Sequence, residues 1–278
     1  MHSFPFSRVL VVSDCANPGL GLLTDALSLA SHSPQGEVVA AVTDITNCME
    51  AEYAPWTYRM LPDLSVDSVF DAAARFRCDV ILARPPANTW TGSSWLRGLL
   101  FESPCPVCLI PAGVRLSLER ALVRLSLTPR GSRLLSLAAG LIRAVGGEEL
   151  VAVHNVFDYD VDEHPDLSED LRTRDELTIY RFLARTDLSG VNVSPIRESR
   201  PGEARTLLGV ARRRGARLLV IDPGNDGGPV WQWNRREVLN LAMHSDIAVI
   251  STGLSNQDRG WKQILRQRVF TEREPKFN

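Results

Sequence analysis

Short, dense apolar runs alternate along this chain with longer stretches whose apolar residues fall three or four positions apart. Dense runs of this kind suit strands covered on both faces, and the spaced ones suit helices with one apolar stripe. The first dense run is Arg8–Asp14, RVLVVSD. A loop with Asn17, Pro18 and Gly19 follows, and Gly21–Ala30 then puts Leu22, Leu23, Ala26, Leu27 and Ala30 on one helical face. Glu37–Ile45 is a second strand, completing a strand, crossover helix and parallel strand. Thr46–Leu64, broken by Pro55 and Pro62, shows no clear period. Ser65–Phe76 predicts an amphipathic helix with Ser65 as N-cap, and Asp79–Ala83 a strand. Trp95–Ser103 predicts a helix and Pro106–Gly113 a closing strand.

The same order restarts near Leu118. Arg120–Leu127 reads as a strand, Gly131–Gly146 as a helix and Glu148–Phe157 as a strand. An acidic connection leads into the helix Asp170–Thr186, which carries opposite charges at helical spacing. Val191–Glu198 is a strand, Arg200–Gly215 a helix with basic residues in its last turn, and Ala216–Asp222 a strand. A loop rich in Gly, Pro and Trp, the helix Arg236–Ser245 and the strand Ile247–Thr252 close the second pass. An internal duplication is the simplest organisation. It divides the chain into residues 1–115, residues 116–255, and a basic amphipathic tail of residues 256–278.

A length of 278 residues fits this division, and the 44% apolar and 23% charged content is that of an ordinary globular chain. The formal net charge of −2 gives no reason to expect nucleic acid as a partner. The start of the chain does not read as a signal peptide, and no uncharged apolar run approaches the ~18–20 residues of a transmembrane span. The five scattered cysteines suit a reducing compartment, so the expected location is the cytoplasm.

Laid out in two passes, Arg8 to Gly253 resembles a tandem universal stress protein. RVLVVSDCA is similar to the family's opening strand, which ends in an Asp before a small-residue turn. ESPCPVCLI is similar to its closing strand, EELVAVHNVFD to its second strand, and RPGEARTLLGVARRRGARLLVID to its third helix and fourth strand. The resemblance implies two Rossmann-like doubly wound α/β domains, each with a mostly parallel five-stranded sheet ordered 3-2-1-4-5. It also implies ATP or AMP outside the carboxyl ends of the strands, or an empty cleft in relatives that lack the phosphate loop G-x2-G-x9-G-[S/T]. Such a loop works because small residues let backbone N–H groups approach phosphate.

Mapped onto this chain, the resemblance points in the first half to Asp14 and Val42 beside the nucleoside. Ala83 takes the place of the leading Gly, and Gly92, Ser93 and Ser94 form a surviving anion corner at the start of a helix. Arg84, Pro85 and Pro86 follow Ala83, and the prolines remove amide donors. In the second half the weaker set is Val156, Asp222 in the place of the leading Gly, and Asn234. A carboxylate at Asp222 repels phosphate. The first-strand Asp is replaced there by a residue near Ser126.

Other constellations have plainer explanations. Cys105 and Cys108 form a C-x2-C, but positions three apart on a strand face opposite ways, and no His or second pair completes a zinc site. They read as small buried thiols. His154 lies in an apolar strand and reads as a core or interface histidine. His164 with Asp160, Asp162, Glu163 and Asp166 lacks the spacing and turn Gly of a calcium loop. Trp231 and Trp233 beside Arg235 and Arg236, with Trp90 in the matching loop, suit a plug in an emptied cleft or a contact between copies. Trp261, Ile264, Leu265 and Val269 give the tail an apolar face that would pack on its own chain or a partner.

Three functions follow in order. The first is a stress-response-type regulatory protein that senses an adenine nucleotide in its first domain and acts through a protein partner. It would work as a homodimer or as an intrachain pair of domains. The second is an interaction module with both clefts closed and no cofactor. A weak ATPase ranks last, because nothing supplies a catalytic base, a metal cage or a phosphate-binding Lys. No catalytic or metal residue is assigned.

Overall fold

The computed structural model describes residues 6–12, 20–43, 57–85, 89–147, 149–155, 165–188, 190–198, 204–223 and 235–252. The first half runs β1 (Arg8–Val12), α1 (Leu20–Ser31), β2 (Glu37–Val42), β3 (Thr57–Met60), α2 (Val66–Arg75), β4 (Val80–Ala83), α3 (Thr89–Glu102) and β5 (Val107–Leu109). The second runs β6 (Arg120–Arg124), α4 (Pro129–Ala144), β7 (Glu149–Asn155), α5 (Pro165–Ala184), β8 (Asn192–Glu198), α6 (Ala204–Arg214), β9 (Leu218–Ile221), α7 (Arg235–His244) and β10 (Ala248–Ser251).

All the strands lie in one sheet, ordered β3-β2-β1-β4-β5-β10-β9-β6-β7-β8. Each half has the order 3-2-1-4-5, as the resemblance implied. The halves do not form two separate sheets. The edge strands β5 and β10 pair antiparallel, with Val107, Cys108 and Leu109 opposite Ser251, Ile250 and Val249. Every other pairing is parallel. A short edge strand with unpaired N–H and C=O groups gains its missing hydrogen bonds this way, which no pattern within a single half could announce. The pairing is centred on Cys108 and Ile250.

The sheet is covered on both faces. Leu10, Val12, Ile81 and Val107 point to the layer that holds α2, α3, α6 and α7. Val9, Val11, Leu82 and Cys108 point to the layer that holds α1, α4 and α5. This double burial is why the strands read as continuous apolar runs. Both halves open alike: Arg8 pairs with Glu37 and Arg120 with Glu149, each as neighbouring strand positions and as ion pairs of 3.3 and 2.7 Å.

Several boundaries moved. The unassigned stretch before Ser65 supplies β3, an edge strand whose Met60 is exposed. The helix expected from Asp170 begins at Pro165, so the end of the acidic connection is helical. Proline is well placed in a first turn, and Asp166 and Glu169 favour the positive end of a helix. Ser65 caps α2 as expected, its Oγ accepting from the Ser68 N–H at 3.3 Å.

Candidate functional site

In a 3-2-1-4-5 sheet the chain leaves the central strands in opposite directions, and a crevice opens at the carboxyl ends of strands one and four. The chain has two, at β1/β4 and at β6/β9. Val12 pairs with Ala83 in the first, and Val123 with Val220 in the second. Taken with the common Arg8 and Arg120 openings, this register sets Ala83 opposite Ile221 and Arg84 opposite Asp222 across the two halves. The leading-Gly position assigned to Ala83 and that assigned to Asp222 are therefore one residue out of step. Arg84, not Ala83, is the equivalent of Asp222.

An ion pair lies beside the second crevice. Arg130, in the first turn of α4, meets Asp222 beyond β9 with Nε 3.2 Å from Oδ2, and the two side chains are 20% and 7% exposed. A carboxylate this buried needs a cation beside it. The helix start is held down tightly. Thr128 caps it by accepting from the Gly131 N–H at 3.2 Å, and a Cβ on Gly131 would fall 1.8 Å from the Ser126 carbonyl oxygen. Only glycine fits there, and Ser126, the replacement for the first-strand Asp, bonds to the Thr128 hydroxyl at 3.0 Å.

The first crevice is different. Arg84 reaches the first turn of α1, where a Cβ on Gly21 would lie 3.4 Å from its Nη2. The Nε of Arg84 is shielded from solvent and has no hydrogen-bond partner among the described residues. Val42 and Ala83 are fully buried at the strand ends. Their carbonyls are engaged by the N–H groups of Leu61 at 2.8 Å and Ile110 at 2.9 Å. Gly92, Ser93 and Ser94 do not start a helix. α3 begins at Thr89, so Ser93 and Ser94 sit in its second turn, where the amides serve the helix itself. The amides of Ser93 and Ser94 thus lie past the free first turn of α3. Asp14, Val156 and Asn234 lie outside the described residues, as do Trp231, Trp233, most of the acidic cluster and the tail. Sequence inspection passed over Arg130 and treated Arg84 only as a neighbour of Ala83. The available signal was an acid and a base at one strand-end position of two repeated halves.

A turn that recurs in both halves accounts for the C-x2-C. Ser103 Oγ donates to the Cys105 carbonyl at 2.6 Å, and Ser245 Oγ donates to the Ile247 carbonyl at 2.7 Å. The same turn thus carries Cys105 in one half and Ile247 in the other, while Cys108 faces Ile250. Cysteine stands where isoleucine serves equally, and the two thiols point into opposite layers. Burial pushes the Cys78 thiol up to about 12, with Asp79 and Glu37 adding to it, and pushes Cys105 and Cys108 higher still. His154 is 7% exposed and borders a cavity of about 370 Å³ with Glu176, Tyr180 and Arg197. Among the described residues no group of three or more His, Cys, Asp or Glu is placed to hold a metal, and no helix is long and apolar enough to cross a membrane.

No protein-family model and no curated protein matches the sequence. Solved structures do match the architecture. A universal stress protein from Archaeoglobus fulgidus superposes with a TM-score of 0.55 at 16% identity, over 89% of this chain and 96% of its own. The chain has the universal stress protein fold. A Pseudomonas aeruginosa structure assigned to the universal stress proteins gives a TM-score of 0.57 at 17% identity, over 94% of this chain and 98% of its own. A Pseudomonas aeruginosa protein of unknown function gives 0.61 at 16% identity, with the same coverage of 94% and 98%. Coverage is near-complete on both sides, so the likeness extends over most of the chain. At these identities the likeness concerns the fold.

Proposed function

We propose that the protein is a stress-response-type regulator of the universal stress protein family, which holds an adenine nucleotide in its first crevice and acts through a protein partner. The observation that carries this is a difference between the crevices: an acid, Asp222, meets Arg130 beside the second, whereas at the equivalent position beside the first stands a base, Arg84, lying over Gly21. The second half, residues 116–255, then serves as scaffold for the first, residues 1–115. Ligand binding at β1/β4 reaches a partner by biasing the packing of α1 and the neighbouring helices. Three thiols buried and unbridged support work in the cytoplasm.

Mass spectrometry of small molecules released from the purified chain tests the proposal. Adenine nucleotide at close to one equivalent is the expected result. A chain that releases none, and whose melting temperature is unmoved by millimolar AMP or ATP, refutes it. One observation favours a second reading, an interaction module without a nucleotide. Ser93 and Ser94 lie inside α3, past its free first-turn amides, which supports that reading.

A further inference from the structure

At the amino ends of the strands, the end away from the crevices, the two halves share a backbone frame and differ in the side chains on it. The first residue of strand one reaches the end of the helix before strand four in both. Arg8 Nη1 donates to the Phe76 carbonyl at 3.5 Å, and Arg120 Nη1 to the Arg214 carbonyl at 2.7 Å. The residue before strand four donates its N–H to that arginine's carbonyl, Asp79 to Arg8 at 2.8 Å and Arg217 to Arg120 at 3.1 Å. Asp79 and Arg217 are therefore equivalent. So are Arg77 and Gly215, both left-handed with φ of 54° and 65°, and Ser7 and Glu119, each just before strand one.

In the first half these residues close the end of the sheet. Asp79 Oδ2 accepts from the Ser7 N–H at 2.8 Å, the Ser7 Oγ at 2.7 Å and the Arg8 N–H at 2.9 Å. In the second half an acid replaces Ser7, a base replaces Asp79 and glycine replaces Arg77. A cavity of about 390 Å³ stands there, bordered by Glu119, Arg120, Glu149, Asn192, Gly215 and Arg217. Its floor is braced: Arg120 holds Glu149 at 2.7 Å as well as the Arg214 carbonyl, and Ser194 Oγ donates to Glu149 at 3.3 Å. A Cβ at Gly215 would lie 3.1 Å from Arg120 Nη1, so a side chain there crowds the floor. At the exposed rim, the Glu119 and Arg217 side chains have no hydrogen bond or ion pair among the described residues. Asp246 acts on Arg217 only from beyond ion-pair distance, being bonded itself to Arg212 at 2.9 Å.

We infer that this cavity binds a small zwitterion, an α-amino acid, with its carboxylate on Arg217 and its ammonium on Glu119. Glu119 and Glu149 balance Arg120 and Arg217, so a guest of either net charge leaves one rim group unanswered, whereas a zwitterion answers both. The planar fork of Arg217 matches a carboxylate, and the Asn192 amide offers both a donor and an acceptor. The volume falls at the small end of ligand sites, which run from about 300 to 1,000 Å³. The site is at the other end of the strands from β1/β4, so it stands or falls apart from the nucleotide reading.

A thermal-shift screen of the full chain against the common α-amino acids, each at millimolar concentration, finds the best binder, and titration calorimetry measures it. The expected result is at least one binder whose methyl ester, lacking the negative charge, and whose deaminated analogue, lacking the positive one, each bind about tenfold or more weaker. Arg217→Met and Glu119→Gln, both at exposed positions, should each weaken the amino acid by about tenfold or more, and Gly215→Arg, which restores the side chain of the first half, should do the same. Asp79→Asn should leave affinity within about twofold. No amino acid bound, a binder indifferent to both Arg217→Met and Glu119→Gln, or an ester or deaminated analogue that binds as tightly as the amino acid overturns the inference.

Discussion

Asp25 is a carboxylate on the buried side of α1, only 3% exposed, and Arg115 of the β5–β6 connection meets it with Nε 2.8 Å from Oδ1. The stretches from Arg8 to Glu37 and from Arg120 to Glu149 are equally long and align without a gap, which places Leu137 of α4 opposite Asp25. One half therefore uses an ion pair where the other uses an apolar side chain. Arg115→Met leaves Asp25 buried without its cation. Breaking a fully buried pair costs about 3–5 kcal/mol. Here the arginine side chain is 60% exposed, so solvent already screens part of the attraction, and about 1–3 kcal/mol is the expected loss. Asp25→Leu removes the buried charge, supplies the residue of the other half, and lets Arg115 turn to water. It should lie within about 1 kcal/mol of wild type, and adding it to Arg115→Met should recover most of the loss. Urea denaturation of the four proteins closes the cycle. An Arg115→Met protein as stable as wild type, or a double variant no better than Arg115→Met, refutes the assignment of Asp25 as a charge held in place by the connection.

Two further outcomes follow from buried or capping groups. With Cys15 and Cys48 replaced by serine, the native chain should resist aromatic disulfide reagents at neutral pH, because burial keeps Cys78, Cys105 and Cys108 protonated and out of reach. Rapid labelling before urea is added contradicts that. Ser65→Ala should lower stability by about 0.5–2 kcal/mol through loss of the α2 cap. Hydrogen bonds from the Ser65 side chain first, then Ser68 and the Ser65 backbone, hold Asp63 below its ordinary 3.8. A depressed carboxylate stabilises the fold above that value and loses the effect as pH falls below it, so the Ser65→Ala penalty should shrink in acid. A penalty that is constant from neutral pH down to pH of about 3 refutes the link.

Much of the fold was legible because it is local. The apolar runs of Arg8–Val12, Val80–Ala83 and Leu218–Ile221 are strands covered on both faces, and periods such as that of α2 mark one-sided helices. The repeated order of elements was legible too, and each half has the same strand order. Thr57–Met60 was not legible, since an exposed edge strand of four residues needs no apolar run. Where strand one, strand four and the first helix of each half meet was also hidden, because residues far apart in sequence come together there only through sheet register. That is why Ala83 was set level with Asp222, and why the meeting of Arg130 with Asp222 and of Arg84 with Gly21 emerged only from the structure. The sequence by itself determined most elements and their repeated order, which depend on neighbours within a few turns of chain. Only the tertiary structure decided that β5 and β10 join two sheets into one, and that Arg130 meets Asp222, since hydrogen bonding across an edge and pairing of buried ions depend on distance in space.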